Sequence, residues 1–273
     1  MRGSHMQGVT VITGAAGGIG RAMMLRFSEA GHTVVGLDLP GACPPDDPSY
    51  RVCDITDEAQ VNAVFEGIVA RYGRIDVLVN NAGLSAVGAL LDHDVSVYRR
   101  VMEVNYIGAL ICTRAALPAL TRTRGRIVVT SSVTGFAPTV GRPAYVAAKH
   151  AVTGLFTALR YELAASGVTV TMVHPTFVTG GMGQASGIDL SVRTTTGSEI
   201  SQDDVARAAV RAVRRRRDLV LVGRTAKLAW WGHRISPRGF GYLMNRALMN
   251  RAPKNRTPKN RAVTDRTLHG ETS

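Results

Sequence analysis

Short apolar runs alternate with longer stretches of helical period along most of the chain. The runs are Val9–Ile12, Thr33–Leu37, Ile75–Val79, Ile127–Thr130, Val168–Val173 and Leu219–Val222. Uninterrupted apolarity over so few residues fits strands buried on both faces of a sheet, not alternating half-exposed ones. Helical period marks Gly18–Ala30, Asp57–Arg71, Tyr98–Leu120, Ala144–Ala165 and Gln202–Arg217. Strand–helix alternation of this kind predicts an α/β fold, a doubly wound parallel sheet with helices on both faces. Past the last strand, Thr225 is the expected cap of a helix carrying Leu228, Trp230, Trp231 and Ile235. Ser236-Pro237 then reads as N-cap and first-turn proline of a second helix, with Phe240, Leu243, Met244, Ala247 and Leu248 on its apolar side. The pattern divides the chain into residues 1–6 (MRGSHM, an expression-tag remnant), 7–224 (the αβ body), 225–250 (a C-terminal helical extension) and 251–273 (a basic, flexible tail). Gly180–Ser198, rich in Gly, Ser and Thr, is expected to form a mobile lid.

Composition changes this picture little and charge changes it in one place. With 45% apolar and 19% charged residues in 273, the chain is of ordinary globular composition. Its uninterrupted apolar runs are too short for a membrane span, so none is expected. Three cysteines (Cys43, Cys53, Cys112) suit a reducing, cytoplasmic setting more than a disulfide framework. The net charge of +13 is unevenly spread: residues 1–200 carry 16 basic and 15 acidic side chains, residues 201–273 carry 17 and 5. Basicity therefore belongs to the last quarter. There it admits cover for the active site or a neighbouring subunit (the favoured reading), peripheral contact with an anionic membrane, and nucleic-acid binding. The last is disfavoured because the aromatics lie on the apolar side, away from the basic residues.

Val9–Ile12 runs into Thr13-Gly14-Ala15-Ala16-Gly17-Gly18-Ile19-Gly20 and then a helix. Glycines at a first βα junction let the chain turn sharply and let a pyrophosphate approach the helix N-terminus. The second strand ends in Asp38, whose carboxylate suits the two ribose hydroxyls of an adenosine and repels a 2′-phosphate. Its neighbours are not basic, so NAD is favoured over NADP; the plainer reading is that Asp38 starts the turn Leu39-Pro40-Gly41. Tyr145 and Lys149 lie four apart on one expected helix face, where an ammonium beside the phenol would lower its pKa. Alone, that pair is also an ordinary helix face.

With Asn80-Asn81-Ala82-Gly83 after a strand, Asn105, and Ser132 thirteen residues before Tyr145, the chain resembles the short-chain dehydrogenase/reductase family over Gln7–Val222. The resemblance implies a Rossmann-type sheet and an NAD(P)-dependent oxidoreductase. It assigns Tyr145 as general acid or base on the substrate oxygen, and Ser132 as a hydrogen-bond donor to that oxygen. Lys149 would bind the nicotinamide ribose, and Asn105 would hold a relay water. Gly14, Gly17, Gly18, Ile19 and Gly20 would cradle the pyrophosphate, while Asp54 and Ile55 would meet the adenine. Asn81, Ala82 and Gly83 would run beside the adenosine, and Pro175 and Thr179 would hold the nicotinamide amide. Thr176 stands where the family usually has glycine, which would narrow the space beside the nicotinamide. His174 reads as a structural strand-end residue, and no metal is expected.

By position, Leu84, Ser85, Thr134, Phe136, Val140 and Phe177 should line the pocket. A mostly apolar lining points to a small lipophilic secondary alcohol or its ketone. Family precedent adds a homo-oligomer, dimer or tetramer. The competing reading is a nucleotide-binding scaffold or sensor docked to membrane through its basic end, which has no use for a complete proton relay.

Overall fold

The computed structural model describes residues 8–180 and 199–249. Strands β1 (Val9–Thr13), β2 (Thr33–Asp38), β3 (Tyr50–Val52), β4 (Val77–Asn80), β5 (Arg126–Thr130), β6 (Thr169–Pro175) and β7 (Leu219–Val222) form one parallel sheet, in the order β3-β2-β1-β4-β5-β6-β7. This is the expected doubly wound, Rossmann-type arrangement, with the strand order reversing between β1 and β4. Successive side chains take opposite faces: Leu78 enters the core under one helical layer, Val77 and Val79 the core under the other. Both faces are thus buried, as the runs without polar alternation required.

Helices α1 (Gly18–Glu29) and α6 (Gln202–Arg215) cover one face, where Met23 and Phe27 pack with Val205 and Ala209. Arg26 ties the two helices with a two-pronged bond to Asp203, at 2.5 and 2.8 Å. The other face carries α2 (Glu58–Tyr72), α4 (Gly108–Thr123) and α5 (Pro143–Glu162), with Phe65, Cys112 and Phe156 at the centre of their core. A shorter α3 (Val95–Met102) sets Val101 against Ala144 and Ala148 of α5. Two helices follow the sheet, α7 (Arg224–Ile235) and α8 (Pro237–Met249).

Four expectations change. The three-residue edge strand β3, half exposed and containing Arg51, has too short a pattern to be seen in the sequence. The single helix expected over Tyr98–Leu120 is α3 and α4 joined by a π-helical turn, Glu103–Ile107. Thr225 does not cap α7; that helix starts from Gly223 at φ +96°, while Ser236 does cap α8 by accepting the Gly239 N–H at 3.2 Å. The continuous helical stretch Val95–Thr123 is also long and apolar enough to cross a membrane by length and composition. Its Ile111, Cys112, Ala116 and Leu120 are nevertheless spent on the core beneath the sheet.

Candidate active site

The ends of β1, β4, β5 and β6 meet at one edge of the sheet, since Thr13 pairs with Leu37, Val79 with Val128 and Thr130 with Val173. At the first of these ends the chain turns through Gly14 at φ +63°, where a Cβ would sit 2.7 Å from Ala82 Cα. The glycine loop and the Asn81–Gly83 turn therefore lie backbone against backbone. Thr13 fastens them: its Oγ1 accepts the N–H groups of Asn81 and Ala82 at 3.0 and 3.1 Å, and Asn81 Nδ2 donates to the carbonyls of Thr13 and Gly14, each at 3.2 Å. Gly20 has Gly14 O and Ala15 where a Cβ would stand, which brings α1 close beneath the loop. Gly17, the N-cap of α1, offers no side-chain cap, so the first-turn N–H groups, including that of Ile19, suit an anion. The cradle fits a dinucleotide.

Asp38 joins the glycine loop to the turn that follows β2. Its Oδ2 accepts the Ala16 N–H of the loop at 2.8 Å, and its Oδ1 accepts the Leu39 N–H of the following turn at 2.9 Å. Asp54 is more fully engaged, accepting the Thr56 N–H and Oγ1–H at 2.9 and 2.7 Å. Burial pushes its carboxyl up, but those bonds prevail and hold it below the ordinary value. The Ile55 side chain is buried against Gly108 and serves the core, which leaves only its backbone for the contact with adenine that the resemblance implies.

Asn105 sits in the π turn, where the Gly108 N–H reaches back to Glu103 O. Its Nδ2 donates to Val101 O, four residues back, and to Leu84 O, both at 2.8 Å. The side chain thereby holds the irregular turn and the loop after β4 together. Its Oδ1 is buried without a partner, the mark of a site for a further donor such as a water. A Cβ on Gly83 would lie 2.7 Å from that oxygen and 3.5 Å from Lys149 Nζ. Only glycine lets both approach, which fits the relay implied for Asn105 and Lys149.

Tyr145 and Lys149 are both buried in the first turns of α5. Lys149 Nζ donates to Thr130 O at 2.9 Å and lies 5.6 Å from the centre of the Tyr145 ring. Burial pushes the lysine down to about 8 and the phenol up to about 12, with Arg142 and Ser132 only partly opposing the latter. Burial therefore sets the direction of the phenol's shift, against the lowering expected of Lys149, and the charge that opposes it is that of Arg142.

Ser132 follows β5, its Oγ accepting the Thr134 N–H at 3.2 Å. Its carbonyl lies 2.7 Å from His174 Nδ1. Burial pushes His174 down to about 4, so the ring is neutral near pH 7 and the carbonyl partner assigns the proton to Nδ1. The ring edge of Phe136 meets His174 at 5.1 Å, and Trp230 of α7 meets Phe136 at 4.9 Å. His174 is the structural strand-end residue expected, and together with Phe136 it also links Ser132 to the C-terminal extension. No spacing rule signals a contact between residues 136, 174 and 230.

Pro175 ends β6, buried and paired with Val222. Thr176 does not narrow the nicotinamide side as expected; its Oγ1 lies 2.8 Å from where a Cβ on Gly223 would be, so it faces β7. The Thr179 hydroxyl donates to Glu199 at 3.2 Å and lies 3.4 Å from Ile200 O. Gln202 was missed. Its Nε2 donates to Thr179 O at 3.2 Å, and its side chain fills the place of a Cβ on Gly18, bridging the glycine loop to the stretch after β6. The usable signal was the Ser201–Asp204 capping box, which fixes Gln202 in the first turn of α6. Residues 181–198 of the expected lid lie outside the described residues, as do residues 1–7 and the tail from 250.

Away from the site, a cavity of about 620 Å³ runs beside β7, lined by Asp204 and by Arg211, Arg215, Arg217, Arg224 and Lys227.

A glycine cradle beside buried Asn105, Tyr145 and Lys149, with Ser132 half-buried next to them, is the equipment of a nicotinamide-dependent oxidoreductase. Residues 8–190 match the family described as short chain dehydrogenase, and the chain belongs to the short-chain dehydrogenase/reductase family. It is 32% identical to dehydrogenase/reductase SDR family member 7B of Xenopus laevis, with 89% of this chain and 83% of that protein covered. It is 36% identical to meso-2,3-butanediol dehydrogenase of Serratia marcescens, over 62% of this chain and 71% of that one. A Burkholderia cenocepacia short-chain dehydrogenase, solved in complex with NADP, superposes with a TM-score of 0.76 at 26% identity, covering 87% and 97% of the two chains.

Proposed function

We infer that the protein exchanges a hydride between NAD(H) and a lipophilic secondary alcohol or its ketone. The observation that carries this reading is the meeting of the unpartnered Asn105 Oδ1 and Lys149 Nζ around Gly83, with Tyr145 and Ser132 beside them. The bound nicotinamide supplies or takes the hydride at carbon. In the reducing direction the Tyr145 phenol gives its proton to the substrate oxygen while the Ser132 hydroxyl hydrogen-bonds the same oxygen; oxidation runs the reverse. Lys149 would hold the cofactor ribose and return a proton toward Tyr145, while a water positioned by Asn105 would relay protons between Lys149 and solvent.

NAD is preferred on the strength of Asp38, whose carboxylate at the end of β2 would repel a 2′-phosphate. Lipophilicity is supported by the exposed Leu90, Leu91 and Val140, in segments tied together where the Gly88 N–H donates to Gly141 O at 2.8 Å, and by exposed Val95 at the start of α3. A homo-oligomer in a reducing, cytoplasmic setting completes the reading, in keeping with the three free cysteines. The test is hydride transfer with NADH and NADPH across a panel of lipophilic ketones. Tyr145→Phe should cut turnover by about 10²–10⁴-fold. Undiminished turnover in that variant overturns the mechanism, and preference for NADPH overturns the cofactor assignment.

A further inference from the structure

Helix α7 is apolar on two opposite sides. Ala226 and Ala229 point inward and are buried. Leu228, Trp231 and Ile235, spaced three and four apart, form a stripe on the opposite side, exposed at 74%, 63% and 78%. Packing within the chain gives this stripe no partner among the described residues. Helix α8, joined to α7 where Phe240 meets His233 at 5.7 Å, adds Tyr242 and Leu243, each 64% exposed.

The charges nearby are overwhelmingly positive. From Leu219 to Thr264 the sequence has ten Lys and Arg residues and no Asp or Glu. Lys227 and Arg234 flank the stripe on one side, and Arg224 stands at its start. Arg224 and Lys227 also line the basic groove beside β7, so groove and stripe are continuous. A second copy docking here about a two-fold axis would set these cations against their own equivalents, with Asp204 the one acidic side chain lining the groove. An anionic surface with an apolar interior meets both demands: the stripe enters the acyl boundary while the long basic side chains reach back to phosphates.

We propose that α7 and α8 seat the enzyme on an anionic lipid bilayer, with the stripe of Leu228, Trp231 and Ile235 inserted and the Arg224–Lys227 groove on the headgroups. The proposal stands independently of which alcohol is oxidised.

The test is sedimentation of the full chain with phosphatidylcholine vesicles, with and without phosphatidylglycerol, alongside light scattering without lipid. The chain should bind the anionic vesicles, release them at high salt, and ignore the neutral ones. Trp231→Glu and Ile235→Glu should each lower partition by roughly tenfold or more while leaving hydride transfer to a water-soluble ketone unchanged. Equal binding to both vesicle types, no binding to either, or partition untouched by both substitutions overturns the proposal. A wild-type dimer that Trp231→Glu splits, without vesicle binding, assigns the stripe to a second copy instead.

Discussion

Helices α6 and α7 both pack beside the last strand, yet they use apolar residues differently. On α6, Val205, Ala206, Ala208, Ala209, Ala212 and Val213 are all buried, and arginines take four of the eight remaining positions. Every apolar residue there is accounted for by the sheet. On α7 the inner side needs only two alanines and the half-buried Trp230, while larger apolar groups face outward. Burial against the sheet explains the whole of α6 and half of α7. The outward half of α7 answers to something the fold does not contain.

The contrast can be broken at graded depth. Ala209→Asp in α6 buries an unpaired carboxylate and should cost about 3–5 kcal/mol, enough to abolish a cooperative thermal transition. A stable Ala209→Asp variant would mean that α6 is less committed to the core than its burial indicates. His174, where the inner side of α7 meets the catalytic strand, comes next. Its folded pKa of about 4 lies below the ordinary 6.5, so its contribution is whole above pH 6.5 and lost as pH falls through 4. That loss is worth about 3 kcal/mol. His174→Asn should flatten this part of the stability–pH curve measured by urea unfolding, and an unchanged slope would show the ring is not buried neutral. Trp230→Ala should cost about 2 kcal/mol in the melt and slow kcat with little change in KM, because it loosens the Phe136–His174 support of Ser132. Trp231→Ala, one residue on but facing outward, should stay within about 0.5 kcal/mol of the parent without lipid. If the two tryptophan variants melt alike, the inner and outer sides are not distinct.

What the sequence reveals follows from what its patterns can encode. Runs such as Ile127–Thr130 locate central strands because burial on both faces leaves an uninterrupted apolar signature. Tyr50–Val52 carries no such signature, being short and at an edge. The spacing of Asn105, Ser132, Tyr145 and Lys149 points to one site, and the folded chain brings them to one sheet edge. The local backbone is less legible: nothing in the apolar period announces a π turn at Glu103–Ile107, although Asn105 depends on it. Electrostatics were misread for a related reason. Four-residue spacing places Lys149 near Tyr145, but the depth of burial, which decides the sign of the tyrosine shift, is a property of the whole packed molecule. The stack from Trp230 to His174 joins residues far apart in sequence, so only the fold could show it.

The place of β7 at the margin of the sheet has one more consequence. It pairs with β6 alone among the described strands. An outermost strand with free amides and carbonyls invites another chain to extend the sheet, and unchecked extension ends in fibres. Here the approach runs through Arg211, Arg215, Arg217, Arg224 and Lys227. A like molecule arriving edge-on meets its own cations before it meets a hydrogen bond, so these residues also act as gatekeepers against polymerisation. Neutralising several of them should turn a well-behaved protein into one that precipitates on standing.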